Sequence, residues 1–244
     1  MDTISKPEKL FINKIDKKIG KTINDNNLIN DGDKILVAIS GGKDSLVLLD
    51  SLWRRLNFIP IKYEIIAVHV SLVGLSYQID KDMIKKFCDS RKIKFKIIEE
   101  QVDISLSKKS PCFICSSTRR KLLFEFALAN NCNKLAFGHH MDDAVETLLM
   151  NMMYHSNISS IPYSIDMFEG KFQIIRPLLK IRNSETLEYS EIFKYPKMKS
   201  LCSFEDKTKR KLASDIINTM ENNYKNSISS IFASMKNIDN DYLP

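Results

Sequence analysis

The run Ser40-Gly41-Gly42-Lys43-Asp44-Ser45 packs two glycines, a cation, an acid and two hydroxyls into one turn. Apolar residues from Ile35 to Ile39 lead into it, and a helical pattern of Leu46, Leu49 and Trp53 follows. Strand, glycine turn and helix in that order bring backbone N–H groups and the positive end of a helix to one point. Such a point holds phosphate. A Walker A loop needs four residues between its glycines and a closing Gly-Lys-Ser/Thr, and the sequence has neither. The plain alternative is a βα turn that uses glycine only for tightness.

A second chemical group begins at Pro111-Cys112-Phe113-Ile114-Cys115, which opens another helical pattern. The i, i+3 spacing puts both sulfurs on one face, at the end of a helix that favours negative charge. Arg119 follows one turn later. Cys202 lies in the loop-like stretch that starts at Tyr195-Pro196 and is a candidate third ligand. Three cysteines without an obvious fourth disfavour closed structural zinc, which takes four ligands. They fit an iron–sulfur cluster in which one iron lacks a protein ligand. A zinc site completed by His or Asp and a thioredoxin-like redox pair stay open as alternatives. Cys88 and Cys132 sit at helix ends and read as buried, inert thiols.

The third group is Gly138-His139-His140-Met141-Asp142-Asp143, between an apolar run and a helical pattern. Adjacent carboxylates at a helix start can hold Mg²⁺ through oxygen or serve as a base beside a triphosphate. Capping of the helix is the competing reading. His139 and His140 are expected to shape the turn by hydrogen bonding rather than to bind a transition metal.

Positioning these groups requires a particular frame. Apolar runs at Tyr63–Val70, Phe95–Ile98, Lys134–Phe137 and Phe172–Ile175 alternate with helical patterns at Ser45–Leu56, Asp80–Ser90, Ser116–Asn130 and Asp142–Tyr154. Alternation of this kind predicts the α/β class, a parallel sheet of about five strands with helices on both faces. Ligands then lie beyond the carboxyl ends of the strands, where strand order reverses. The glycine turn and Gly138 both fall on that rim. An amphipathic helix with Leu10, Phe11, Ile15, Ile19 and Ile23 on one side precedes the sheet. Stripes of Leu212, Ile216, Ile217 and Met220, then Ile228, Ile231, Phe232 and Met235, follow it. The expected organisation is an N-terminal helix over 1–30, a nucleotide-binding domain over 31–180, and C-terminal helices over 181–244 packed on it.

At 244 residues with 43% hydrophobic and 27% charged side chains, the chain can bury a full core. No apolar run approaches the roughly 20 residues that cross a membrane, and no secretory pattern opens the chain. The cytoplasm is the expected compartment, and five cysteines there do not suggest disulfides. A net charge of +7 permits a polyanionic partner. Lysines at 14, 17, 18 and 21 and the group Lys207, Lys209, Arg210 and Lys211 flank apolar stripes and read equally as solvated faces.

With these residues in place, SGGKDS resembles the PP-loop of ATP pyrophosphatases. The chain from about Lys14 onward resembles the tRNA 2-thiocytidine synthetase family. The likeness rests on INDGDKILVAISGGKDS, CFICSSTRRKLLFEFA, KLAFGHHMDDAVETLLMNMMY, IIRPL and SIFASMKNIDNDYL. It implies an adenine-nucleotide α-hydrolase fold, with ATP, Mg²⁺ and a [4Fe–4S] cluster as cofactors. Its partners would be tRNA and a sulfur donor (sulfide or a cysteine desulfurase), and a homodimer is compatible. The implied reaction adenylates O2 of cytidine 32 and replaces that oxygen with sulfur. By resemblance, Ala38, Ser40, Gly41, Gly42, Lys43, Asp44, Ser45, His69, Gly138 and Asp143 hold the nucleotide. Cys112, Cys115 and Cys202 ligate the cluster, and Asp143, Arg119 and Lys43 are catalytic. The chain departs from the family pattern at Cys202, which lacks a neighbouring cysteine and Gly-Ser-Gln, and at Val68-His69-Val70-Ser71-Leu72, which lacks Asn-Leu-Asp. Thiolation of a uridine or of a non-tRNA substrate, and a zinc-bearing RNA-binding module without turnover, are the alternatives.

Overall fold

Residues 4–73, 79–102, 110–195 and 209–242 are described by the computed structural model. In chain order its elements are α1 (Lys6–Asp25), β1 (Lys34–Ala38), α2 (Lys43–Arg55), β2 (Glu64–Val73), α3 (Lys81–Asp89), β3 (Lys94–Gln101), α4 (Pro111–Ala129) and β4 (Lys134–Ala136). Then come α5 (Met141–His155), β5 (Ser164–Met167), β6 (Phe172–Ile175), α6 (Asn183–Ile192), α7 (Lys209–Asn223) and α8 (Ser227–Ser234).

The strands form one sheet in the order β3-β2-β1-β4-β6-β5. Strand β1 is central because Ile35 to Ala38 are apolar on both faces. Val37 pairs in parallel register with Ala67 on one side and Ala136 on the other. Period-two alternation then divides the core. Ile35 and Val37 pack with α1, α2 and α6 through Ile15, Ile19, Leu46, Leu49 and Tyr189. Leu36 and Ala38 face α4 through Leu123 and Ala127. Strand order reverses between β1 and β4, so the rim there is the expected ligand crevice.

Among the described residues the sheet has six strands rather than about five, and it is mixed. Strand β5 pairs antiparallel with β6 at the edge. Ser164-Ile165-Asp166-Met167 is short, has no fully buried residue, and carries no strong apolar run to mark it.

Helix α1 opens with a capping box: the Glu8 N–H donates to Ser5 Oγ, and the Ser5 N–H donates to Glu8 Oε2 at 2.7 Å. Its Ile12, Ile15, Ile19 and Ile23 belong to the same core as β1, while Leu10 is exposed despite its spacing. At the other end, α7 buries Ala213 and Ile217, and Leu212 stays outside. Ile217 and Ile228 pack on Met141 and Val145 of α5. The helices expected before and after the sheet therefore share its cores or cover its helices. Lys21 pairs with Asp25 at 3.2 Å, as a solvated helix face would, whereas Lys18 pairs with Glu185 of α6 at 2.7 Å in a part-buried contact between the two helices. Among the described residues, no helix is long and apolar enough to cross a membrane.

Candidate nucleotide and sulfur-transfer site

A cavity of about 650 Å³ opens at the carboxyl ends of β1, β2, β4 and β6. Ala38, Ser40, Asp44, Ser45, His69, Arg119, Gly138 and Asp143 all lie in its wall. Eight residues singled out from the sequence thus meet at one place.

The glycine turn is built to leave donors free. Gly41 has φ +89°, a conformation that side chains disfavour. Gly42 is the N-cap of α2, and no side chain caps that end. The first N–H groups of α2 are therefore left for an incoming anion. The Gly42 N–H donates to Ser40 Oγ at 3.2 Å, and the Ser45 hydroxyl donates to the Gly42 carbonyl at 2.8 Å, which fixes the turn. Gly138 completes the wall by close approach. A Cβ there would sit 2.9 Å from the Asp44 carbonyl carbon and 3.0 Å from the Ser45 nitrogen, so only glycine lets β4 lie against the start of α2.

Lys43 is turned aside. Its Nζ donates to Asp44 Oδ1 at 2.9 Å and to Asn183 Oδ1 at 2.7 Å, and it is not part of the cavity wall. Thr186 on α6 donates its hydroxyl to Asp44 Oδ1 at 2.6 Å. Helix α6 therefore holds the acid and the lysine of the turn in one network.

The adjacent carboxylates do different work. Asp142 Oδ2 accepts from the Asn183 N–H at 2.8 Å and from Arg182 Nε at 3.3 Å, so Asp142 fastens the start of α6. Asp143 both caps and faces the cavity. Its Oδ2 accepts from the His140 N–H at 2.9 Å, and its Oδ1 accepts from Arg210 Nη2. Arg210 also donates through Nε to Glu146 Oε2 at 2.7 Å. The expectation that the histidines shape the turn holds for His140, whose Nδ1 accepts from the Asp143 N–H at 3.4 Å.

Burial sets the charge of the two cavity histidines. His69 is 2% exposed, and burial holds its pKa below the ordinary imidazole value. Its Nδ1 lies 2.8 Å from the Ile39 carbonyl, which can only accept, so Nδ1 carries the proton and Nε2 is left an acceptor. Burial likewise pushes His139 down to about 4, against the opposing pull of Asp143. Both rings are neutral at pH 7.

Cys112 is exposed in the first turn of α4 and Cys115 is half-buried at the start of the second; the Ser110 cap accepts from the Phe113 N–H at 3.3 Å. The residues that follow, Ser116, Arg119 and Arg120, line the cavity. Helix α4 thus reaches the same space as the glycine turn through these residues, while Cys112 and Cys115 themselves lie outside the cavity wall. Among the described residues, no three His, Cys, Asp or Glu side chains assemble into a metal site. Cys202 lies outside the described residues. Soft sulfur donors one turn from the wall fit an iron–sulfur cluster better than a hard cation. Cys88 and Cys132 are buried elsewhere, and desolvation pushes the Cys88 thiol up to about 12, as inert thiols should behave.

Sequence reasoning missed Arg176, Arg182 and the role of Arg210. Arg182 and Arg210 act on carboxylates 40 and 67 positions away in the chain, a relation that spacing cannot carry.

A family model described as the PP-loop domain matches residues 12–213. The chain is 34% identical over 228 residues to tRNA-cytidine(32) 2-sulfurtransferase 1 of Francisella tularensis, covering 91% of this chain and 85% of that one. It is 32% identical over 246 residues to tRNA-cytidine(32) 2-sulfurtransferase of Shewanella oneidensis, covering 97% and 79%. Among solved structures it is similar to the U34-tRNA thiolase NcsA from Methanococcus maripaludis with its [4Fe-4S] cluster. The TM-score is 0.77 at 28% identity, covering 93% of this chain and 78% of that one.

Proposed function

Because this chain belongs to the PP-loop family and, within it, to the tRNA-cytidine(32) 2-sulfurtransferases, we propose that it thiolates tRNA at cytidine 32 in an ATP-dependent reaction. The observation that carries this reading is the shared cavity. An uncapped helix start and the Gly138 close approach lie on one wall, and the helix that begins with Cys112 and Cys115 supplies another.

In the first step, cytosine O2 attacks the α-phosphorus of ATP and pyrophosphate leaves. The α2 N–H groups and the Ser40 and Ser45 hydroxyls hold the departing phosphates. Lys43 exchanges Asp44 and Asn183 for them as they arrive. Mg²⁺ would be held by Asp44 and Asp143, the carboxylates on the cavity wall, rather than by Asp142. The adenylated base is cationic, which activates C2. In the second step sulfur forms a bond to C2, AMP departs with the original oxygen, and Asp143 accepts the proton that the sulfur gives up. Cys112, Cys115 and Cys202 would hold a [4Fe–4S] cluster, and that group, when bound, supplies the sulfur. Sulfide would replenish it, or a cysteine desulfurase together with a two-electron thiol reductant. Neutral His69 and His139 give the cavity hydrogen-bonding groups without adding charge. The base must leave its stack to reach C2, at modest cost in a single-stranded loop.

The test uses the chain purified without oxygen, its cluster reconstituted, and unmodified tRNA, ATP and sulfide. Nucleoside mass spectrometry should find 2-thiocytidine at position 32 only when ATP is present. A thiouridine would move the substrate to another base, and no thionucleoside at all would sink the assignment.

A further inference from the structure

Arg176 follows β6 and is only 8% exposed, yet no carboxylate lies within ion-pair distance of it among the described residues. Its Nη1 donates to the Pro162 carbonyl at 2.8 Å and its Nε to His139 Nδ1 at 3.4 Å. Both acceptors are neutral. Burial and the charge of Arg120 together push its pKa down to about 10, so the guanidinium is still charged at pH 7. A buried cation is costly unless an anion and hydrogen bonds compensate it. Here two hydrogen bonds are supplied, and the described residues offer no carboxylate.

Arg176 lines the same cavity as Arg119 and Arg120, so three guanidinium side chains share the wall beyond β6 and α4. The planar fork of arginine suits the oxygens of a phosphate ester. The sheet order separates this place from the glycine turn. Arg176 follows β6, two strands along from β1, which at strand spacing is about 10 Å of lateral distance. A nucleotide with its leaving phosphates at the start of α2 is anchored at the β1 end of that backbone span. An RNA strand whose extruded base enters the cavity carries a phosphodiester on each side of it.

We infer that Arg176, with Arg120 beside it, forms a subsite for an RNA backbone phosphodiester next to the base that is modified. This rests on the tRNA reading above. The subsite fixes which nucleotide of the loop presents its base to C2 chemistry, because base and phosphate must be seated together.

The full chain, its Arg176→Gln variant and its Arg176→Lys variant separate the sources of phosphate. Affinity for tRNA is measured between roughly 50 and 200 mM salt, where each phosphate contact contributes a slope of about 0.7 to 0.9. Affinity for ATP is measured in parallel by calorimetry. Arg176→Gln should bind tRNA about tenfold more weakly at low salt and lower the slope by nearly one contact, with ATP affinity within about twofold of wild type. Arg176→Lys keeps the point charge and should keep the slope; if Arg176→Gln unfolds, Arg120→Gln at the exposed neighbour should lower the slope in its place. An unchanged slope and affinity in Arg176→Gln would overturn the subsite, as would a lost slope in Arg176→Lys. Weakened ATP binding with the tRNA slope intact would give the anion to the nucleotide and also overturn it. A wild-type chain that binds ATP but no tRNA would instead remove the tRNA reading itself.

Discussion

Replacing Asp143 with asparagine is expected to slow single-turnover thiolation by about 10²- to 10⁴-fold, the usual contribution of a positioned proton acceptor. Folding should survive, because an asparagine oxygen can still accept the His140 N–H that Asp143 caps at 2.9 Å. Affinity for ATP without Mg²⁺ should change little, since the helix start of α2 and the Ser40 and Ser45 hydroxyls are untouched. Mg²⁺-ATP should bind more weakly, for want of one of the two carboxylates proposed to hold the ion. Arg210 makes the prediction sharper. It binds both Asp143 and Glu146 and so fixes where the carboxylate points. Arg210→Ala should therefore reduce the rate less than Asp143→Asn does, since it frees the carboxylate rather than removing it. Thiolation near the wild-type rate in Asp143→Asn would take this residue out of the chemistry.

The second large effect is on stability. Asp50 is 1% exposed and lies on α2, the helix that begins at the glycine turn. Its Oδ1 accepts from Arg91 Nε and its Oδ2 from the Tyr195 hydroxyl, both at 2.5 Å. Burial beside Asp50 raises the Tyr195 pKa well above the ordinary phenol, which keeps that hydroxyl a donor. Arg91 also lies over the rings of Phe87 at 3.7 Å and Trp53 at 5.5 Å. Asp50→Ala leaves the Tyr195 hydroxyl without its acceptor and the Arg91 guanidinium without its carboxylate. Only the Phe87 carbonyl and Ser90 hydroxyl still accept from Arg91 Nη1, and removing one partner of a buried pair costs about 3–5 kcal/mol. That is a large share of the roughly 5–15 kcal/mol of an ordinary domain. Asp50→Asn keeps one acceptor for Arg91 and should lose clearly less. Urea unfolding checks both. A loss under about 1 kcal/mol in Asp50→Ala would mean that the network does not hold α2 in place.

Much of the frame was legible because burial writes itself into the chain. Ile35 to Ala38 are apolar without interruption since both faces of β1 are covered, and Phe172–Ile175 matches β6 to the residue. The chemical groups were legible where they are local. Ser40 to Ser45 and Cys112 with Cys115 carry their geometry in their spacing. What escaped depends on partners distant in the chain. Asp142 and Asp143 look alike in sequence, and only Asn183, Arg182 and Arg210 give them separate tasks. Arg176 sits in a recognisable apolar stretch, but that no carboxylate among the described residues pairs with it is a property of the folded cavity. Strand β5 is held by pairing with β6 at an exposed edge, where alternation is weak. Cys202, read as the third sulfur ligand, lies outside the described residues, so its part in the site is a proposal.

The account turns on the base oxygen attacking the α-phosphorus within the cavity shared by the glycine turn and the cysteine helix. An anticodon stem-loop carrying ¹⁸O at O2 of cytidine 32 tests that most directly. After anaerobic turnover with ATP and sulfide, mass spectrometry of the released AMP should find the label in its phosphate. Thiolated RNA accompanied by unlabelled AMP would contradict the account, because the oxygen would then have left by a route that does not pass through the nucleotide.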